Sequence, residues 1–187
     1  VDLWKLDVLI LPDGNYGKII NDHKEITRWV SDGGRVILLE DANSFFAGKD
    51  GLELKSKTKP ETVQNQNKTY GSREREGISD QIPGAIYKIN LDNTHPLAYG
   101  YDGFTNVIIK SVFDFEFLKN GWNIGKLGEH VSGFVGKNIK ASMKDKPVFA
   151  VQDIGKGKVI YMLESPIFRG FWYGGRMLFA NAAFLVK

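Results

Sequence analysis

The sequence predicts an α/β domain, a mostly parallel sheet flanked by helices with one antiparallel hairpin portion. Three observations carry that expectation. "LDVLIL" (residues 6–11) and "RVILLE" (residues 35–40) are nearly continuous apolar runs, the pattern of strands covered on both faces, whereas a half-solvated strand alternates. Between them Ile19, Ile20, His23, Ile26, Trp29 and Val30 recur at helical spacing, and a helix joining two such strands is a crossover that covers one sheet face. Finally, residues 148–151 and 159–163 are apolar runs separated by "QDIGKGK", where Gly155 and Gly157 permit a tight reversal.

Along the chain, Pro12-Asp13-Gly14 ends the first strand, Asn21 or Asp22 stands near the helix start, and Ser31-Asp32-Gly33-Gly34 supplies a glycine stop. Residues 48–81 are rich in Lys, Gln, Asn, Thr and Glu with few large apolar anchors, so they read as a long solvated excursion with at most a short strand at residues 52–54. "AIYKINL" (residues 85–91) predicts a strand, and "VIIKSVFDFEFL" (residues 107–118) another, with Phe113, Phe115 and Phe117 on one face and Asp114 and Glu116 on the other. The glycines from Gly121 to Gly136 place His130 in a glycine-rich loop. A last helix is expected to start near Gly174 or Gly175 and to present Met177, Leu178, Phe179, Ala182, Ala183 and Val186, apolar nearly all round and so buried over much of its length.

A chain of 187 residues suits a single domain, residues 1–187, with one substantial core. The 25 basic and 22 acidic residues are intermixed, as in Arg73-Glu74-Arg75-Glu76, which lacks the concentrated basic surface of a nucleic-acid binder. No apolar run reaches membrane-spanning length, so membrane insertion is not expected. The abrupt entry into a strand after Val1 leads us to expect a fragment of a longer protein.

The absence of cysteine removes thiolate nucleophiles and cysteine-based metal sites. His23, His95 and His130 are dispersed without a metal motif; His23 and Glu25, two apart on a helix, point different ways. No cofactor or metal site is expected. The candidate pocket gathers at strand ends and in the C-terminal loop: Asp13, Glu40, Asp41, Ser44, Glu164, Arg169, Trp172, Tyr173 and Arg176. Ligands of such sheets favour the carboxyl ends of strands. If Glu40, Asp41 and Glu164 converge, they hold a cation or a basic group, or raise the pKa of one of them; otherwise they cap helices or pair with Arg35, Arg169 or Arg176. Ser44 is a helix-start hydroxyl unless a histidine and an acid come within reach. In "FRGFWYGGR" no group suits proton transfer at neutral pH, so the segment is expected to close the fold, with Phe168, Phe171 and Trp172 covering the sheet edge and Arg169 and Arg176 paired with Glu164 or Asp41.

"LDVLILPDG", "WVSDGGRVILLE", "PGAIYKINLDNTHPLAYGY" and "GKGKVIYMLESPIFRGFWYGGRMLFANAAF" resemble the class I glutamine-amidotransferase-like, flavodoxin-like domain found at the C-terminus of bacterial zinc carboxypeptidase-like proteins. The resemblance implies a secreted or periplasmic parent whose peptidase domain is the natural partner. It also implies that the nucleophile of that superfamily, a cysteine on the turn after residues 36–40, is replaced here by Asp41-Ala42-Asn43-Ser44, and that Glu164-Ser165-Pro166 stands where the base histidine belongs. A catalytically inactive accessory or interaction domain follows, with no catalytic residue. In the same superfamily a further strand and helix precede the strand resembling residues 6–11, which implies an open sheet edge and self-association. The alternatives are a carbohydrate or peptide binding module using Trp122, Trp172 and Tyr173, and a hydrolase using Ser44 or the strand-end acids.

Overall fold

The computed structural model describes residues 2–57, 69, 71 and 77–187. The chain builds seven strands, β1 (Val8–Leu11), β2 (Arg35–Leu39), β3 (Gly84–Leu91), β4 (Phe104–Ile109), β5 (Trp122–Phe134), β6 (Pro147–Ile154) and β7 (Gly157–Met162). They form one sheet in the order β1-β2-β7-β6-β5-β3-β4. Among the helices whose residues are all described, α1 (His23–Ser31), α2 (Ala42–Phe46), α3 (Lys137–Ser142) and α4 (Arg176–Phe184) flank it.

The βαβ crossover forms as its pattern predicts. Asp22 caps α1 by accepting the Lys24 N–H, so the helix begins at His23 rather than at Ile19, which stays exposed. α1 buries Ile26, Trp29 and Val30, and β1, β2 and β7 pair in parallel. The remaining pairings, β7 with β6, β6 with β5, β5 with β3 and β3 with β4, are antiparallel. The sheet is therefore mixed, with more antiparallel than parallel neighbours, and the expectation of a mostly parallel sheet is corrected. Burial on both faces accounts for the apolar run of β2, while β1, expected to be covered on both faces, is an edge strand with Ile10 exposed; an inner antiparallel strand is buried as fully as β2: Val148, Phe149, Ala150 and Val151 of β6 are each at most 1% exposed.

Two further segments differ from expectation. The glycine-rich stretch holding His130 is the 13-residue strand β5, irregular in its pairing with both neighbours; Gly125 sits where any Cβ would run into the Phe149 ring, so the glycine marks close approach within a sheet rather than a loop. Residues 107–109 belong to β4, but the run beyond them leaves the ladder. Ser111 to Leu118 lies outside the ladder, with one isolated β-bridge, Phe115 to Ser56. Phe113 and Phe115 are buried there and Phe117 is exposed. Leu52 and Leu54 are buried without forming a strand, and most of the excursion expected over residues 48–81 lies outside the described residues. α4 buries Leu178, Asn181 and Ala182 while Met177 and Phe184 are exposed, so it is covered on one face only. No helix among the described residues is long and apolar enough to cross a membrane.

The end of α1 and the start of β7 meet backbone to backbone. A Cβ on buried Gly157 would collide with the carbonyl groups of Val30 and Gly34. Gly157→Ala is expected to lower stability by about 2–3 kcal/mol, read as a lower urea midpoint at unchanged slope; a midpoint equal to that of the parent chain would show that the crossover does not need this contact.

Candidate functional site

The carboxyl ends of β2 and β7 meet at a turn. Glu40, the residue after β2, has φ 49°, a left-handed conformation that costs a side-chain-bearing residue energy. It is held by its surroundings. Its N–H donates to the Met162 carbonyl of β7, and the buried Asn43 side chain donates from Nδ2 to the carbonyls of Leu38, Glu40 and Met162. Asn43 thus ties the turn between β2 and α2 to β7, while Asn43 Oδ1 has no hydrogen-bond partner among the described residues.

Two of the three strand-end acids come together here. The Glu40 carboxylate pairs with Lys110 Nζ, just beyond β4, and that ammonium also lies 4.8 Å from the Phe168 ring centroid. Glu164, fully buried, accepts on Oε1 from the Lys110 N–H at 3.2 Å and from Ser111 through its N–H at 3.4 Å and its hydroxyl at 3.3 Å. Its Oε2 has no hydrogen-bond partner among the described residues. Burial is the main force pushing the Glu164 carboxyl up to about 7, with the nearby Glu40 charge adding to it; the Lys110 N–H, the Lys110 ammonium and the Ser111 N–H oppose it.

A cavity of about 180 Å³ opens beside this cluster, lined by Glu40, Asp41, Ser44, Ser111, Asp114 and Leu163 among others. A second, of about 330 Å³, continues past Asp41 and Ser44 to Gly14 and Asn15. Asp13 lines neither cavity but accepts the Asp41 N–H at 3.2 Å. The structure therefore gathers Glu40, Asp41 and Ser44 around adjoining polar cavities, with Asp13 bonded to Asp41 and Glu164 buried beside them.

Arg169, Trp172, Tyr173 and Arg176 are elsewhere. The expected arginine pairs with Glu164 or Asp41 do not form: Arg176 donates to the Gly170 carbonyl and lies 3.7 Å above the Tyr173 ring centroid, Arg169 stacks on Phe168, and Arg35 donates to the carbonyls of Ala183 and Val186. For Arg169 and Arg176 the partners lie between one and six residues away along the same loop, and aromatic faces and a carbonyl there take the guanidinium groups in place of a distant carboxylate. The loop does close the fold. Trp172 is half-buried and its indole N–H donates to Asn106 O on the edge strand β4 at 2.8 Å, the Thr105 and Tyr101 hydroxyls donate to Gly174 O, and Gly175 sits so close to Pro166 that no Cβ fits. Phe171 and Tyr173 are exposed and do not cover the edge.

The residues that sequence reasoning missed are Lys110, Ser111 and Asn43. Lys110 stands where the apolar run "VII" stops, and a lone lysine closing a buried strand was the available signal. The histidines take local roles. His95 Nδ1 accepts the Leu97 N–H, His130 lies 2.9 Å from Gly133 O, and His23 lies 3.9 Å from Asp22. Among the described residues no three His, Asp or Glu side chains come together as a metal site would require.

No family model matches the chain, and no curated protein does. Solved structures do resemble it. A ThuA-like protein from Parabacteroides merdae superposes with TM-score 0.55 at 13% identity, over 87% of this chain and 61% of that one. A cytoplasmic protein from Salmonella typhimurium gives 0.52 at 12% identity, over 96% and 71%. The cold-adapted β-galactosidase of Rahnella sp. R3 gives 0.50 at 13% identity, over 98% of this chain and 23% of that one. The chain thus spans about three fifths of the ThuA-like protein and under a quarter of the galactosidase. At these identities the likeness is one of fold: a mixed α/β domain with a seven-stranded sheet flanked by helices.

Glu164 makes stability depend on pH in the direction opposite to that of a salt-bridged carboxylate. Its folded pKa, raised to about 7 from 4.5, means that the folded state binds more protons than the unfolded state between those values, so stability is full below about pH 4.5 and falls as pH rises through 7. The shift corresponds to roughly 3 kcal/mol lost by pH 8. Glu164→Gln, which mimics the protonated acid, should flatten this part of a stability profile measured by urea denaturation from pH 4 to 8; an unchanged slope would assign the dependence to other groups. For the loop, Trp172→Ala should cost about 2 kcal/mol, less than a fully buried ring and more than a surface one, by the same measurement.

Proposed function

We propose that this chain is a catalytically inactive, class I glutamine-amidotransferase-like accessory domain of a larger secreted or periplasmic peptidase-like protein, working through contact with the peptidase domain of its own parent chain. The observation that carries the reading is the turn after β2. It has the strained left-handed geometry at Glu40 that presents a side chain at a strand end, yet the side chain presented is a carboxylate neutralised by Lys110. A carboxylate clamped in an ion pair is a poor nucleophile, and an acyl-thioester route needs a thiol, which this sequence does not contain. The likeness to under a quarter of a β-galactosidase chain supports a fold that serves as one part of a larger protein. Self-association belongs to the same proposal, since β1 is an edge strand made only of apolar residues, with Ile10 exposed.

A second reading has its own support. The Ser111 hydroxyl donates to Glu164, whose carboxyl is held near neutrality, as a general base for hydrolysis would be. One set of assays separates the two. Incubation with glutamine, with p-nitrophenyl esters, and with C-terminal peptide substrates plus zinc is expected to give background rates that Glu164→Gln leaves unchanged. Turnover that scales with protein, survives repurification and falls at least a hundredfold in Glu164→Gln would replace the accessory reading with a hydrolytic one.

A further inference from the structure

Trp122 opens β5 with its side chain on the surface, 56% exposed. Single exposed aromatics are ordinary; this one is distinguished by how firmly it is held. Across the sheet Trp122 faces Val151, so Asp153 is its diagonal neighbour on β6, and Asp153 in turn faces Lys158 directly on β7. The indole N–H donates to Asp153 Oδ2 at 3.3 Å, and Asp153 Oδ1 is bound by the Lys158 ammonium. The Lys158 hydrogen bond is the main cause holding the Asp153 carboxyl below its ordinary value; burial is the next largest and opposes it, while the Trp122 N–H and the charges of Lys158 and His95 reinforce it. The chain of contacts Lys158, Asp153, Trp122 runs over three adjacent strands and fixes the plane of an exposed ring.

His95 completes the surroundings. Its ring centroid lies 6.2 Å from that of Trp122 at an angle of 41°. Because Nδ1 accepts the Leu97 N–H, the proton of the neutral ring is on Nε2, a donor. Burial pushes the His95 pKa down, against the pull of Asp92, so the ring is neutral at pH 7.

We infer that Trp122, framed by Asp153, Lys158 and His95, is a stacking platform for a pyranose sugar. A pyranose has one face of C–H groups, which an indole face accepts, and a rim of hydroxyls that both donate and accept. Asp153 supplies the acceptor, His95 and Lys158 the donors. The opposite charges of Asp153 and Lys158 neutralise each other, so the surface does not select for a charged ligand. A ring already fixed by its neighbours loses little side-chain freedom on binding, and a site carried on strands is held more rigidly than one on a loop. The other two candidate aromatics lack this arrangement: Trp172 is half-buried and bonded to a main-chain carbonyl, Asn106 O, with no side-chain pair around it among the described residues, and Arg176 covers a face of Tyr173. The inference is independent of whether the chain is catalytic.

The test is calorimetric titration of the whole chain with cellohexaose, xylohexaose, chitohexaose and maltohexaose. At least one is expected to bind with a dissociation constant in the range of about 10 μM to 1 mM. Trp122→Ala should weaken that binding at least tenfold without shifting the melting temperature, since the ring is exposed; Asp153→Asn, which keeps the shape and removes the charge that orients the ring, should weaken it severalfold; and Tyr173→Ala should leave it unchanged. No binding of any of the four sugars at about 10 mM, or binding that survives Trp122→Ala, or binding lost instead in Tyr173→Ala, overturns the assignment. Turnover assays decide the accessory reading separately, so either conclusion can fail alone.

Discussion

Everything in this fold depends on β7 finding β2. Among the described strands, β7 is the one with a parallel neighbour on one side and an antiparallel neighbour on the other, so it joins a parallel portion built from the first forty residues to an antiparallel portion built from the rest. Val159, Ile160, Tyr161 and Met162 are each at most 1% exposed, as expected of a strand covered on both faces at a sheet's centre. The junction closes a loop of more than a hundred residues between Leu39 and Gly157, and its loop-closure entropy must be met by that burial. The backbone contact of Gly157 with Val30 and Gly34 and the Asn43 hydrogen bond to Met162 pin the two ends of the same seam.

The chain's apolar runs were legible as strands, and the crossover and the β6–β7 reversal followed from them. Direction was not legible. A run such as "PVFAVQ" says that both faces are covered and nothing about whether a neighbour runs with it or against it, because side-chain burial is the same in both cases. β5 was hidden for a different reason. Gly125, Gly128 and Gly133 are ordinarily loop signals, and only the proximity of Phe149, Lys88 and Ala85 shows that each glycine answers a neighbouring strand. The strand-end acids were found from their positions, since a carboxylate just past an apolar run has few places to go. Their partner was not found, because Lys110 sits at the end of a strand distant in sequence, and the nearer arginines satisfied themselves locally.

Burial and strain converge on that one turn. Glu40 holds a left-handed backbone, and among the described residues Glu164 holds a carboxyl without a second partner for Oε2 and Asn43 holds an unpartnered carbonyl oxygen. Each is a cost of order 1–3 kcal/mol, and all three fall at the carboxyl ends of β2 and β7. The ion pair with Lys110 offsets part of the cost for Glu40. The cost for Glu164 is met by staying partly protonated, a choice open to an acid and closed to the main-chain groups around it.

The candidate groove and the proposed Trp122 platform lie at opposite ends of one strand. Lys158, which anchors the Trp122 row, stands at the amino end of β7, and Glu164 stands just past its carboxyl end, six residues on, or about 20 Å in an extended strand. They share no partner: the Trp122 row draws on β5, β6 and the turn at His95, and the Glu164 cluster draws on β2, α2 and the chain after β4. Sites so separated respond to substitution independently, their free-energy changes adding to within a few tenths of a kcal/mol. The electrostatics keep them apart as well, because the Debye length at physiological salt is about 8 Å. The rigid, fully buried middle of β7 therefore positions both surfaces without coupling them, so that titration of Glu164 alters the turn beside β2 and leaves the plane of the Trp122 ring where Asp153 holds it.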